Sequence, residues 1–209
     1  MTQPSGLQPR RDFLARLGAL GASLGVLSPR AVTAMEPDRS GKEDPWVARL
    51  RGAHRVIFHS HMPTEGLALR WAQTFLDTQK TAYGIDEADM SVLVGLNGRS
   101  VGWFFNDAMW AKYPTIGEVM GAPGASNPQS AAIAALASRG VILLACANSI
   151  RASGQRFLPA PGRNDTSART AFADDVRANL IEGVEVVPAM IVTLQQAQDR
   201  GCRYIYAGG

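Results

Sequence analysis

The chain has 209 residues, with 21 basic and 18 acidic side chains, 46% hydrophobic residues and two cysteines. Four of the arginines (Arg10, Arg11, Arg16, Arg30) and one acid (Asp12) fall within the first 34 residues, so the remainder carries 17 basic and 17 acidic groups and is formally neutral. That balance excludes a polycationic partner surface and argues against nucleic acid or an anionic membrane as the ligand.

Arg10-Arg11-Asp12-Phe13-Leu14, a glycine-rich apolar run from Ala15 to Leu27 and the small-residue exit Val32-Thr33-Ala34 together have the form of a twin-arginine export signal over 1–34. The apolar run is too short to span a bilayer, so no stable membrane span is expected in the mature form and the location is periplasmic or otherwise exported. An anchoring N-terminal helix is the alternative, weakened by the glycines and by Arg16. Residues 35–52, broken by Pro37 and Pro45, read as a linker or ordered arm that Trp46 pins down. A single domain follows over 53–209.

The domain opens with a strand over Ala53 to Ser60 and a helix over Glu65 to Lys80. A second strand, Ser91 to Leu96, leaves through Asn97-Gly98-Arg99. Arg99 to Lys112 reads as helical, with Phe104, Ala108 and Ala111 on one face. Tyr113 to Asn127, rich in glycine and proline, is expected to be a long loop. Asn127-Pro128 starts a helix that runs to Arg139. The apolar run 141–146 is the third strand, followed by a short helix from Ala147, a polar loop, and a helix over Ala168 to Leu180 capped by Thr166 or Ser167. Val184 to Val187, a helix opened by Pro188, and Cys202 to Tyr206 complete the pattern. Strands alternating with helices predict an α/β, three-layer fold with a five-stranded parallel sheet.

Ligands of such sheets bind outside the carboxyl ends of the strands. Five stretches meet there: His59-Ser60-His61-Met62, Asn97-Gly98-Arg99, Cys146, Pro188-Ala189-Met190 and Tyr206. Backbone donors of the helix beginning beyond Cys146 would favour its thiolate, the condition for a nucleophilic or sulfur-carrying cysteine; a buried cysteine acting as a small hydrophobe is the alternative. Cys202 stands at a strand entrance, about 15 to 20 Å from the exits, so no disulfide is expected and both thiols are free. His59, His61 and Met62 would suit copper or zinc, with Cys146 as a further ligand, and the competing reading has the histidines bonding to loop backbone. Asp107 could orient Arg99 or a histidine of the pocket.

Val141 to Ile150, with its Cys146-Ala147-Asn148-Ser149, Gly183-Val184-Glu185-Val186-Val187-Pro188-Ala189, and the closing Gln195 to Ile205 resemble the DsrE/DsrF-like family of sulfur-relay proteins, over roughly residues 53–207. The resemblance extends to exported members that also carry a segment like Asn106 to Tyr113 followed by Gly117-Glu118. It implies a flavodoxin-like fold, a homo-oligomer, and a persulfide-carrying cysteine at the position of Cys146, with a small sulfur compound or a sulfur-donor protein as partner. The expected function is periplasmic sulfur handling, with His59, His61, Asn97 and Arg99 shaping a pocket for an anion. The alternative is a non-catalytic metal- or small-ligand-binding module or an oligomeric assembly subunit.

Overall fold

The structure is a computed structural model and describes residues 43–208. The export signal expected at 1–34 and the first part of the linker lie outside the described residues. Five strands, β1 (His54–Ser60), β2 (Met90–Leu96), β3 (Ile142–Cys146), β4 (Val184–Val187) and β5 (Arg203–Tyr206), form one sheet in the order β4-β3-β2-β1-β5. Every pairing is parallel. With helices on both faces, this is the three-layer α/β architecture that alternating strands and helices predict. β2 lies at the centre and is buried along all seven residues, which is why it reads as an apolar run from Val92 to Leu96.

From β1 to β4 the chain steps in one direction, and its helices lie on one face. These are α1 (Leu67–Tyr83), α2 (Asp107–Lys112), α3 (Thr115–Met120), α4 (Ser130–Ser138), α5 (Ala147–Arg151), α6 (Gly154–Phe157) and α7 (Thr166–Ala178). Val56, Phe58, Val92, Val94, Leu143 and Ala145 point into this layer, against Leu69 and Leu76 of α1, Ile133 of α4 and Phe172 of α7. After β4 the chain reverses and recrosses the sheet to β5. Because crossovers are right-handed, a reversal of direction moves the connection to the opposite face. There α8 (Met190–Asp199) covers Ile57, Leu93, Ile142, Leu144, Cys146 and Val187, together with Trp46 from the 3-10 turn Pro45–Arg49. Trp46 is fully buried, so it does pin the arm. Among the described residues no helix is long and apolar enough to cross a membrane.

Several local expectations are corrected. Residues 99–112 do not form one helix: a 3-10 turn, Ser100–Phe104, is separated from α2 by extended Phe105 and Asn106, so Phe104 shares no helical face with Ala108 and Ala111. The expected loop 113–127 contains α3, whose N-cap is Pro114 and whose C-cap is Gly121 in the left-handed conformation. The residues that look like loop punctuation are the helix's own boundaries. The polar loop after α5 likewise holds α6. The cap of α7 is Asp165, whose carboxylate accepts from the Ala168 N–H at 3.0 Å, not Thr166 or Ser167. The helix expected from Asn127-Pro128 begins later, at Ser130 with Gln129 as its N-cap. Asn127 instead closes the turn before it, accepting from the Gln129 N–H (2.9 Å), and its side-chain amide donates to the Trp103 and Phe105 carbonyls at 2.7 and 2.8 Å.

Candidate functional site

Register places the relevant side chains on the face covered by α8. Tyr206 pairs with His59, His59 with Gly95, Gly95 with Leu144 and Leu144 with Glu185, which makes one row across the sheet. With a side-chain period of two, the next row outward on the same face is made by the chain at His61 and Asn97 and by Cys146 and Val187. The carboxyl edge therefore gathers the predicted residues into two linked clusters.

The first cluster lies over β1, β2 and β5. The His59 ring is held at both nitrogens, Nε2 lying 3.0 Å from Asn97 Oδ1 and Nδ1 3.0 Å from the Tyr204 hydroxyl. With the amide oxygen as acceptor, Nε2 carries the proton and Nδ1 accepts from Tyr204; the tautomer follows from this network. Burial lowers the His59 pKa, and nearby His61 adds to the fall, against an opposing contribution from Asn97. The imidazole is thus kept neutral. Burial, aided by Tyr206, raises the Tyr204 pKa, so that hydroxyl remains a proton donor. His61 is exposed, stacks on Tyr206 at a centroid distance of 5.5 Å, and has its Nδ1 2.6 Å from the Tyr206 hydroxyl. Arg99 is exposed, with its guanidinium 3.3 Å from Met62 Sδ. Gly98 joins the two turns: its φ is +58°, and a Cβ there would stand 2.6 Å from the His61 carbonyl.

Cys146, at the end of β3, centres the second cluster. Here β3 leads to one face of the sheet and neighbouring β4 to the other, the divergence at which open α/β sheets form their ligand crevice. The Met190 N–H, at the start of α8, donates to Cys146 Sγ at 3.4 Å. Burial pushes the thiol pKa up, but the N–H groups of Met190, Ser149 and Asn148 and the Ser149 hydroxyl outweigh it, and the net position is below the ordinary thiol value. α5 has only five residues, so discrete donors rather than a long helix dipole produce this effect. Cys202 shows the contrast: it is equally buried, has no such donors, and burial raises its pKa. Both cysteines are free.

Ser149 links the clusters, since its Oγ accepts the Gly98 N–H at 2.8 Å while its hydroxyl serves Cys146. Ser149 and Tyr204 are the participants that sequence reasoning missed. Ser149 lies three residues past the strand-exit cysteine, where a first-turn hydroxyl can turn back. Tyr204 lies two residues before Tyr206, on the same face of β5.

Asp107 does not join the site. Its Oδ1 accepts from the Asn127 N–H (2.8 Å) and the Ser130 hydroxyl (3.1 Å), which ties α2 to the start of α4. For the metal reading, no three His, Cys, Asp or Glu side chains gather among the described residues, and the Met62 sulfur lies against the Arg99 guanidinium. Both His59 nitrogens are engaged by Asn97 and Tyr204. Grooves of about 310 Å³ (Phe58, Trp71, Phe75, Ile205) and 270 Å³ (Arg151, Arg169, Arg177) lie elsewhere. Cys146 is only 4% exposed.

No family model matches the chain, and no curated protein is similar to it. Among solved structures, it is similar to a protein of unknown function, MTH1491, from Methanobacterium thermoautotrophicum. The two are 20% identical, with 73% of this chain and 98% of that chain covered and a TM-score of 0.46. So distant a likeness transfers no chemistry.

Proposed function

We propose that the protein handles sulfane sulfur, with Cys146 as the atom acceptor, in the exported compartment to which a signal at 1–34 would direct it. The observation that carries this reading is the Cys146 thiol, nearly enclosed yet drawn towards thiolate by the donors of Met190, Ser149 and Asn148. A thiolate is the nucleophile in sulfur transfer. With thiosulfate, Sγ bonds to the sulfane sulfur, the S–S bond of thiosulfate breaks, and sulfite leaves with the bonding pair. The product is Cys146 persulfide, whose terminal sulfur carries the charge that Sγ brought. Slight exposure favours a small inorganic donor over a bulky one. Arg99 and the hydrogen-bonded His59–Asn97 pair supply the polar rim an anion needs.

The test is intact mass after treatment with thiosulfate or polysulfide. The wild type is expected to gain one sulfur, about 32 Da, that dithiothreitol removes. Cys146→Ser should gain nothing, whereas Cys202→Ser should behave as the wild type. An unmodified wild type, or a gain that survives in Cys146→Ser, refutes the assignment.

A further inference from the structure

Among the described residues β5 is an edge strand with β1 as its neighbour, and Tyr204, Ile205 and Tyr206 are 42%, 36% and 37% exposed. Natural sheets guard such edges with lysine, proline, bulges or a covering element, because open backbone groups recruit another strand. Tyr204-Ile205-Tyr206 carries none of these side-chain guards and is instead apolar and aromatic. Beside it runs the 310 Å³ groove between α1 and β5, in which Trp71 is 38% exposed.

The ladder determines which backbone groups point outward. The Ala207 N–H donates to the His59 carbonyl at 2.7 Å, so Ala207, and with it Ile205 and Arg203, turn their backbone groups towards β1. Alternate residues of a strand bond to opposite sides, and Tyr204 and Tyr206 therefore direct their N–H and C=O groups to the open edge.

We infer that this edge pairs with β5 of a second copy of the chain, antiparallel, about a two-fold axis through Ile205. Residues opposite one another across a continuous sheet must lie on the same face. Tyr204 and Tyr206 share the face of His59, and Ile205 lies on the other. An axis through Ile205 sets Tyr204 opposite Tyr206 of the second copy and Ile205 opposite its own counterpart. Each Tyr204–Tyr206 pair exchanges two bonds, so all four outward groups of each strand are satisfied. Ile205 becomes the closely spaced, non-hydrogen-bonded central pair, beside the two Trp71–Phe75 grooves. The strand's one charge, Arg203, falls opposite Ala207, so like charges do not meet. A slip that centres the axis on Tyr204 sets Tyr206 opposite Cys202, whose N–H is already given to the Ala197 carbonyl at 2.9 Å, so the Tyr206 carbonyl loses its donor. The strand is thus its own complement, as a two-fold contact requires. On the other face, the tyrosines that hold His59 and His61 stand beside those of the second copy, which gives each site an aromatic wall from its neighbour. This inference is independent of any chemistry at Cys146.

The full chain, of 22.3 kDa, is expected to elute as a dimer in size-exclusion chromatography with light scattering at micromolar concentration. Ile205→Lys, which sets two ammonium groups against each other, should yield a monomer with unchanged far-ultraviolet circular dichroism. In oxidising buffer Ile205→Cys should form a covalent dimer, while Arg203→Cys, whose counterpart is Ala207, should not. The cysteine pair decides the matter if Ile205→Lys fails to fold. A monomeric or odd-numbered wild type overturns the inference, as does an assembly that survives in folded Ile205→Lys or equal cross-linking by the two cysteine variants.

Discussion

Two thiols with the same small exposure are driven in opposite directions by what surrounds them. Cys202 meets burial without compensating donors, and its pKa rises; Cys146 meets burial together with three backbone N–H groups and a hydroxyl, and its pKa falls. The fold favours the thiolate of the depressed group relative to the unfolded chain, so its stabilisation is present above the pKa of an unfolded thiol and is lost as pH falls through the folded value. The raised group works in the other sense, with its contribution complete below the unfolded value and lost as pH rises through the folded one. Iodoacetamide labelling followed by peptide mapping across pH should therefore give Cys146 a midpoint below the ordinary thiol value of about 8.5, and Cys202 one above it. Ser149→Ala should move the Cys146 midpoint upward and leave that of Cys202 in place. A Ser149→Ala profile that matches the wild type would remove Ser149 from the site.

At the level of elements, β2 and α8 meet at one point where Met190 fills the space a side chain on Gly95 would need. A Cβ on Gly95 would lie 2.7 Å from Met190 Sδ, and Met190 is the residue whose N–H reaches Cys146. Gly95→Val is expected to destabilise the fold by about 1–3 kcal/mol in chemical denaturation. It should also slow Cys146 alkylation at neutral pH by pulling the Met190 donor away. Gly95→Ala should do less of both, because the end of a methionine can shift. Most elements were legible because the strands alternate with helices and β1, β2 and β3 each centre on an apolar run with clear borders. Misreadings concentrated where proline and glycine serve two purposes: Pro114 and Gly121 bound α3 yet look like a loop. In the site, Cys146, His59, His61, Asn97 and Arg99 could be placed by the rule that strand exits form the crevice. Asp107 could not, because its partners Asn127 and Ser130 lie 20 and 23 residues on, and only tertiary structure brings them to it. Tyr204 was hidden for a similar reason, since its contact with His59 depends on β5 pairing with β1, which no local pattern encodes.

For the domain as a whole, the two faces of the sheet are unequally clad. One carries seven helices among the described residues, the other α8 and the arm that contains Trp46. The arm is tied by ion pairs from Arg49 to Glu185 and from Glu43 to Arg200, the latter at 2.6 Å. Exposed pairs of this kind contribute little, so Trp46 supplies most of the arm's hold. Trp46→Ala should cost about 3–5 kcal/mol, measured by thermal or urea unfolding. Trp46→Phe should cost much less, because the indole N–H is buried without a partner and its removal relieves that penalty.

The return of the chain from β4 to β5 also sets an order of events in folding. Tyr204 and Tyr206 contact His59 and His61 across 145 residues of sequence in each case. Such contacts form only after a long loop has closed, and chains dominated by distant pairings fold slowly. The neighbouring pairs β1–β2, β2–β3 and β3–β4 close far shorter loops and can assemble first as a four-stranded core. In that core β1 is itself the open edge, with His59 and His61 beside it and no tyrosine to hold either ring. The last step of folding is then also the step that gives Nδ1 of His59 its donor, so the histidine cluster becomes a native site only when the fifth strand docks.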